Sequence, residues 1–213
     1  LIPFIGPDFP HVFPDWGSST ENIVAYFERN SVYWIVQNFI ATLALPLNLV
    51  FTSGLTAVLR KDGHPTVFAA ALTPLMTVIV TLYMVTGMQW TWAAAAAGYH
   101  PTLDPSLLRY TFEFSLWIWL LSHGGVALLV LCAGLAIRRS HALPPWTARY
   151  SFATAGLSLI HPFLLFANSG ILSPTELPSL CIGGAFHLWI AVLGVVLLRL
   201  PSPQPHRTPT AQS

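Results

Sequence analysis

The sequence predicts an all-α integral membrane protein, and three observations lead there. Of 213 residues, 54% are hydrophobic and only 8% are charged, whereas soluble domains carry about a quarter charged residues. Five apolar stretches, at 32–59, 67–97, 107–137, 150–167 and 180–198, lie near or above the roughly 20 residues that a spanning helix needs. Period-2 alternation is absent, which argues against a β-barrel. The same composition excludes other classes. A net charge of +1 with no basic cluster cannot neutralise a phosphate backbone, so no nucleic-acid partner is expected. Two cysteines and a mean hydropathy of +0.62 exclude a disulfide scaffold and a disordered chain.

Three regions follow in order: a segment at 1–30, a bundle of five visible transmembrane helices at 31–200, and a polar, proline-rich tail at 201–213 that is expected to be disordered. Pro3, Pro7, Pro10 and Pro14 rule out a spanning helix before Trp16. Ser18 and Glu21 form a capping box that opens a short amphipathic helix with Ile23, Val24 and Phe27 on one side. A charged start followed by an apolar run is missing, so no cleavable signal sequence is read.

The spans are separated by marked breaks. Arg60-Lys61-Asp62-Gly63-His64-Pro65 ends the first, and the stretch from Gly98 to Pro105 ends the second. There Asp104-Pro105 reads as an N-cap followed by proline at the first helical position. Pro144-Pro145 forbids a continuous helix between the third and fourth spans, and Gly170, Pro174 and Pro178 divide the last pair. Pro46, Pro74 and Pro162 fall inside spans, where membranes tolerate kinks. Gly124-Gly125, Gly134, Gly183-Gly184, Gly194 and the alanines at 93–97 allow helices to approach closely.

Charge sets the expected topology. One side of the five spans holds Arg60, Lys61, Arg138, Arg139, Arg149, Arg199 and Arg207, with Asp62 as its single acid. The other holds Arg29 and Arg109 with Asp8, Asp15, Glu21, Glu28, Asp104 and Glu176. The positive-inside rule then puts the basic side, with the C-terminal tail, in the cytoplasm of a cell with this chain in its plasma membrane. The N-terminal segment and the loops at 98–105 and 168–178 face out.

Ionisable groups inside a membrane are expensive and usually face a bundle interior. Glu113, His123, His161 and His187 qualify. Counted from the outer helix ends at about 1.5 Å per residue, Glu113, His161 and His187 lie at one depth, with Gln37, Asn38 and Gln89 in the same layer. His123 counts as deeper and is left out. The expected site is an outer-half pocket lined by Glu113, His161, His187, Gln89 and Gln37, walled by Trp34, Trp90, Trp117 and Trp189. Glu113, His161 and His187 are the candidate catalytic groups. Gln37, Gln89, Trp90, Trp117 and Trp189 are the candidate ligand contacts. A structural account stands beside this one: Glu113 lies four residues after Arg109, so an ion pair explains both charges, and histidines glue helices together. No His or Glu pair has i,i+3 or i,i+4 spacing, so no metal or cofactor is expected. Cys132 and Cys181 lie near opposite membrane faces and read as small apolar packers rather than a disulfide.

The order of features resembles a group of small multi-pass membrane proteins common in actinobacteria, a family with no established activity. The resemblance rests on Phe13-Pro14-Asp15-Trp16 leading to Ala25-Tyr26-Phe27, on the Pro46 span ending Leu59-Arg60, and on Tyr99-His100-Pro101 before Asp104-Pro105. Leu143-Pro144-Pro145-Trp146 and the Asn168-Ser169-Gly170 turn complete it. It covers most of residues 13–198 and implies a sixth spanning helix upstream of the proline-rich segment. Ser169-Gly170-Ile171-Leu172 departs from the family's aromatic Gly-Pro-Phe-x-Trp pattern, and no catalytic residue carries over.

Three functions are expected in order. The first is binding of a membrane lipid or lipophilic small molecule in the outer pocket, alone or as an accessory subunit of a membrane-protein complex. The second is an intramembrane isomerase or cyclase acting on an isoprenoid or sterol-like substrate, with Glu113 as general acid and tryptophans facing a carbocation. The third is a transporter or channel, ranked last because the inner halves of the spans offer little beyond His123 and Asn48.

Overall fold

The computed structural model describes residues 14, 17–61, 64–100, 102–166 and 177–200. The expectations for the rest of the N-terminal segment, most of the 168–178 loop and the tail lie outside the described residues. The chain is an all-α bundle: α1 (Thr20–Arg29), α2 (Ser31–Val58), α3 (Val67–Tyr99), α4 (Pro105–Ser140), α5 (Pro145–Ile160) and α6 (Leu177–Leu198). Among the described residues four helices are long and apolar enough to cross a membrane, Ser31–Val58, Val67–Tyr99, Pro105–Ser140 and Pro178–Leu198. The apolar surface is turned outward as lipid contact requires. Phe39, Leu43, Leu47 and Val50 repeat along α2 and are each 64–69% exposed.

The stretch expected to span at 150–167 is not among these four helices, and it is not one continuous α-helix. Its α-helix stops at Ile160 and continues as a 3-10 helix, His161–Phe166. Pro162 supplies the reason: it has no N–H to give to Ser158, and its ring crowds that carbonyl, so the turn tightens. The pieces measure about 24 Å and about 12 Å, so neither alone matches an apolar bilayer core of about 30 Å. Pro46 and Pro74 stay inside continuous helices.

Local signals account for the other ends. Asp104 caps α4 by accepting the Ser106 N–H at 2.9 Å, with Pro105 at the first position. The cap of α1 is Ser19, which accepts from the Asn22 N–H at 3.3 Å. That corrects the Ser18–Glu21 capping box by one residue. Thr66 caps α3 through the Ala69 N–H. The break between α2 and α3 is a two-residue ladder, β1 (Arg60–Lys61) against β2 (His64–Pro65), paired Arg60 to Pro65 and Lys61 to His64. α4 ends on His141, which takes the left-handed conformation (φ 54°) that normally falls to glycine.

Two cores divide the bundle along its length. At the α1 end, Ile23 and Phe27 of α1 are fully buried against Ala93, Ala94, Ala96 and Ala97 of α3 and Leu108, Phe112 and Leu116 of α4. The alanine run has no bulk to hold α1 off. At the opposite, arginine end, Leu72, Met76, Ile79, Leu129, Val130, Ala133, Ile137, Phe186, Trp189 and Leu193 pack together. Gly134 is required there, because a Cβ would fall 2.7 Å from the Phe152 ring. Gly124, Gly184 and Gly194 have open space around them, so the close approach expected at those positions is not made. Cys132 is buried, whereas Cys181 is exposed and corrects the expectation of a packed thiol; both are free.

Candidate functional site

A half-open cleft of about 170 Å³ lies between the two cores. It is built by four helices: Gln37, Asn38, Ala41, Thr42 and Leu45 from α2, Tyr83, Thr86, Gly87 and Trp90 from α3, Trp119 from α4 and His187 from α6. Within α3 the spacing of Tyr83, Thr86 and Trp90 is i, i+3, i+7, so a single face carries all three. Most of the lining is apolar, and its polar atoms are not all used. Gln37 Oε1 and Asn38 Nδ2 are buried without a hydrogen-bond partner. Thr42 and Thr86 spend their hydroxyls on the carbonyls of Asn38 and Leu82. The Tyr83 hydroxyl is a third lining group buried without such a partner, so the wall of the cleft carries polar atoms that its own packing leaves unmet.

Behind Trp119 sits a cluster of rings. His123 and His161 are both fully buried and cross edge to face with centroids 4.0 Å apart. Trp119 packs on His161 at 4.7 Å and on His123 at 5.5 Å, and Tyr83 reaches His123 at 6.1 Å. The His123 Nδ1–H donates to the Trp119 carbonyl at 2.8 Å, which leaves the neutral ring's lone pair on Nε2. His161 Nε2 pairs with the Ser179 hydroxyl at 2.9 Å. Gly183 closes the cluster, since a Cβ there would lie 3.1 Å from the Trp119 ring and 3.6 Å from His123 Nε2.

No protein family, curated protein or solved structure matches the chain. The geometry alone therefore carries the reading of the site.

The residues expected to share one pocket are distributed over several places. Gln37, Trp90 and His187 line the cleft. His161 stands behind it rather than in it. Gln89 accepts the Ser115 hydroxyl at 3.0 Å and lines a separate groove of about 340 Å³ with Met88, Trp92 and Phe114. Glu113 is paired with Arg109 at 2.8 Å, and with Trp117 it lines an outward groove of about 320 Å³. Trp189 donates its indole N–H to Ser151 at 2.9 Å, deep in the arginine-end core. Trp34 touches Trp90 edge to face at 5.1 Å but belongs to the α1 core, where its N–H reaches the Tyr26 hydroxyl.

The expected layer failed because depth was counted from helix ends. The 36 residues of α4 extend about 54 Å, far beyond the bilayer core, and the first turns of α4 pack beside α1. Glu113 therefore belongs to that end. From the arginine end the count changes: His123 lies 17 residues before Ser140 and His161 16 after Pro145, and the two rings touch. The exclusion of His123 is corrected accordingly. Tyr83, Thr86 and Trp119 are not among the expected site residues, although Trp119 and His123 stand at i,i+4, a spacing that puts both on one face. Among the described residues no three His, Cys, Asp or Glu side chains gather as a metal centre would require.

Proposed function

We propose that this membrane protein binds a lipophilic small molecule or lipid whose polar end enters the cleft of Gln37, Asn38, Tyr83, Trp90, Trp119 and His187. The single observation that carries this reading is the unpartnered pair Gln37 Oε1 and Asn38 Nδ2 on an apolar wall. A hydroxyl or carboxamide group satisfies both at once, because it donates and accepts. The volume of about 170 Å³ is close to that of an apolar cavity that holds a benzene ring. A ring or headgroup fits, and the remainder of the molecule lies along the exposed apolar face of α2 beside it.

Catalysis with Glu113 as general acid loses its support. That carboxylate is held by Arg109 in another groove, and among the described residues no carboxylate lines the cleft. The chain is proposed to sit in the plasma membrane with α1 outside, on the strength of the arginines gathered at the opposite end. The resemblance to the actinobacterial membrane family belongs to the same proposal.

Native mass spectrometry of the detergent-extracted protein, followed by identification of any retained molecule, tests the binding reading. Gln37→Leu combined with Asn38→Leu should reduce retention about tenfold or more, the worth of two hydrogen bonds. Glu113→Gln should leave it unchanged. Equal retention in the double variant would sink the proposal.

A further inference from the structure

A second pocket lies at the opposite end of the bundle and differs in chemistry. It measures about 530 Å³, between the last turn of α4 and the first turns of α5, and is lined by Ile137, Arg138, His141, Leu143, Pro145, Ala148, Arg149 and Phe152. Its floor is apolar and its rim cationic. We propose that this pocket binds the phosphate of an anionic membrane lipid, with Arg138 and Arg149 as the two guanidinium contacts.

Three observations point to that ligand. First, among the described residues no carboxylate stands near the rim: Glu21 and Glu28 lie on α1, Asp104 at the α4 cap and Glu113 on its third turn, all at the far end. Neither Arg138 nor Arg149 forms an ion pair with any described residue. Arg139 next to them differs, because its guanidinium lies 4.5 Å over the Phe68 ring and ties α4 to α3. Second, α5 begins on Pro144 and Pro145 with no side-chain cap; the Thr147 N–H is taken by the Pro144 carbonyl at 3.0 Å, and the positive end of the 16-residue helix dipole faces the pocket with the Trp146 N–H. The Thr147 hydroxyl does not serve there, since it donates to the Pro144 carbonyl at 2.7 Å. Third, the residues around the pocket are those of a membrane interface. The α4 span ends in Arg138 and Arg139, and Trp146, half-exposed on the first turn of α5, is an indole of the kind that marks the interface.

Basic pockets between spanning helices at a membrane surface recognise anionic head groups. Arginine suits the task because its planar fork binds two phosphate oxygens at once. The apolar floor of Ile137, Leu143, Ala148 and Phe152 takes the glycerol end and the first methylenes of the acyl chains. A free phosphate would use the rim and leave this floor unoccupied, so the observations favour the lipid. This site is separate from the cleft and stands whether or not the cleft binds a ligand.

The test is titration of the full-length protein in detergent with phosphatidylglycerol and with phosphatidylcholine, read by native mass spectrometry. Phosphatidylglycerol should bind more tightly than phosphatidylcholine. Arg138→Gln with Arg149→Gln should weaken it about tenfold or more. Arg60→Gln with Arg199→Gln removes the same charge from the same end and should change binding less than about twofold. Arg138→Lys with Arg149→Lys keeps the charge and loses the fork, so a several-fold loss is expected with an unchanged melting temperature. This pair also serves as the test if the glutamine pair does not fold. Competition with millimolar inorganic phosphate separates the sources: lipid that stays bound supports the headgroup, and displacement supports a free phosphate at the same arginines. Unchanged phosphatidylglycerol affinity in the Arg138/Arg149 variants, or an equal loss in the Arg60/Arg199 pair, would overturn the proposal.

Discussion

Gly183 has the narrowest tolerance of the residues around the cleft. A methyl group there would press on Trp119 at 3.1 Å and on the edge of His161 at 3.5 Å. Gly183→Ala should therefore cost about 1–3 kcal/mol, the usual range for overpacking, read as a lower melting temperature in detergent. Trp189 makes a comparable demand, because its buried N–H has one acceptor, the Ser151 hydroxyl. Ser151→Ala leaves that N–H unsatisfied and should destabilise by about 1–3 kcal/mol. Trp189→Phe with Ser151→Ala removes both polar groups and should restore part of the loss. Asp104 is a different case. The Ser106 N–H, followed by the Ser106 side chain, holds its carboxyl below the usual aspartate range. A carboxyl lowered by folding contributes stability above its unfolded pKa and loses it as pH falls through the folded value. Stability should thus decline at the acid end, and Asp104→Asn, which keeps the cap, should flatten that decline in melting temperatures measured against pH.

Two elements have functions that their length does not reveal. α1 is only 10 residues long, too short to be a stable helix alone, and it holds its place by seating Ile23 and Phe27 on the alanines of α3. Phe27→Ala empties a fully buried site and should cost about 3–5 kcal/mol. Because Phe27 packs on Phe112 and Trp34, and Trp34 on Trp90, the same change should loosen one wall of the cleft. Limited proteolysis near Gly17 would report the release of α1. The 3-10 helix His161–Phe166 is the second such element. Pro162→Ala restores the missing N–H and lets α5 continue as α-helix, which rotates the residues beyond it relative to α6. His161 already has α-helical dihedrals (φ −56°, ψ −45°), so its contacts with Ser179 and Trp119 should survive and Trp119 fluorescence should stay unchanged. The residues at 163–166 should turn to a new face, and circular dichroism should gain α-helix signal.

For the whole molecule, the separation of charge is the main feature. All described carboxylates gather at the α1 end, while Arg60, Arg138, Arg139, Arg149 and Arg199 gather at the other. The proposed orientation puts α1 outside. With Cys132 and Cys181 replaced by alanine, a membrane-impermeant maleimide applied to intact cells should label Gly17→Cys and leave Ser140→Cys unlabelled. The reverse pattern would overturn the orientation and leave the bundle unaffected. The polar cleft lies between two apolar cores rather than within either, so its polar atoms can differ from the surrounding packing without breaking it.

The class of the protein was legible in composition and run length, because a membrane demands long apolar helices wherever the chain folds. The caps and breaks were legible for the same local reason: Asp104-Pro105 and Pro144-Pro145 act on the turns that contain them. The site was legible only in part. Gln37, Trp90 and His187 emerged from asking which polar residues sit within apolar spans, but Glu113, Gln89, Trp117 and Trp189 answered the same question and belong elsewhere. Sequence position specifies neither how far a helix projects beyond the bilayer nor which face it turns to a neighbour. Those depend on how α1 seats on α3 and α4, on the turn that Pro162 tightens, and on the close approach at Gly183. The tertiary structure alone decided that His123 meets His161, because helices of unequal length place residues at one level only after they have packed.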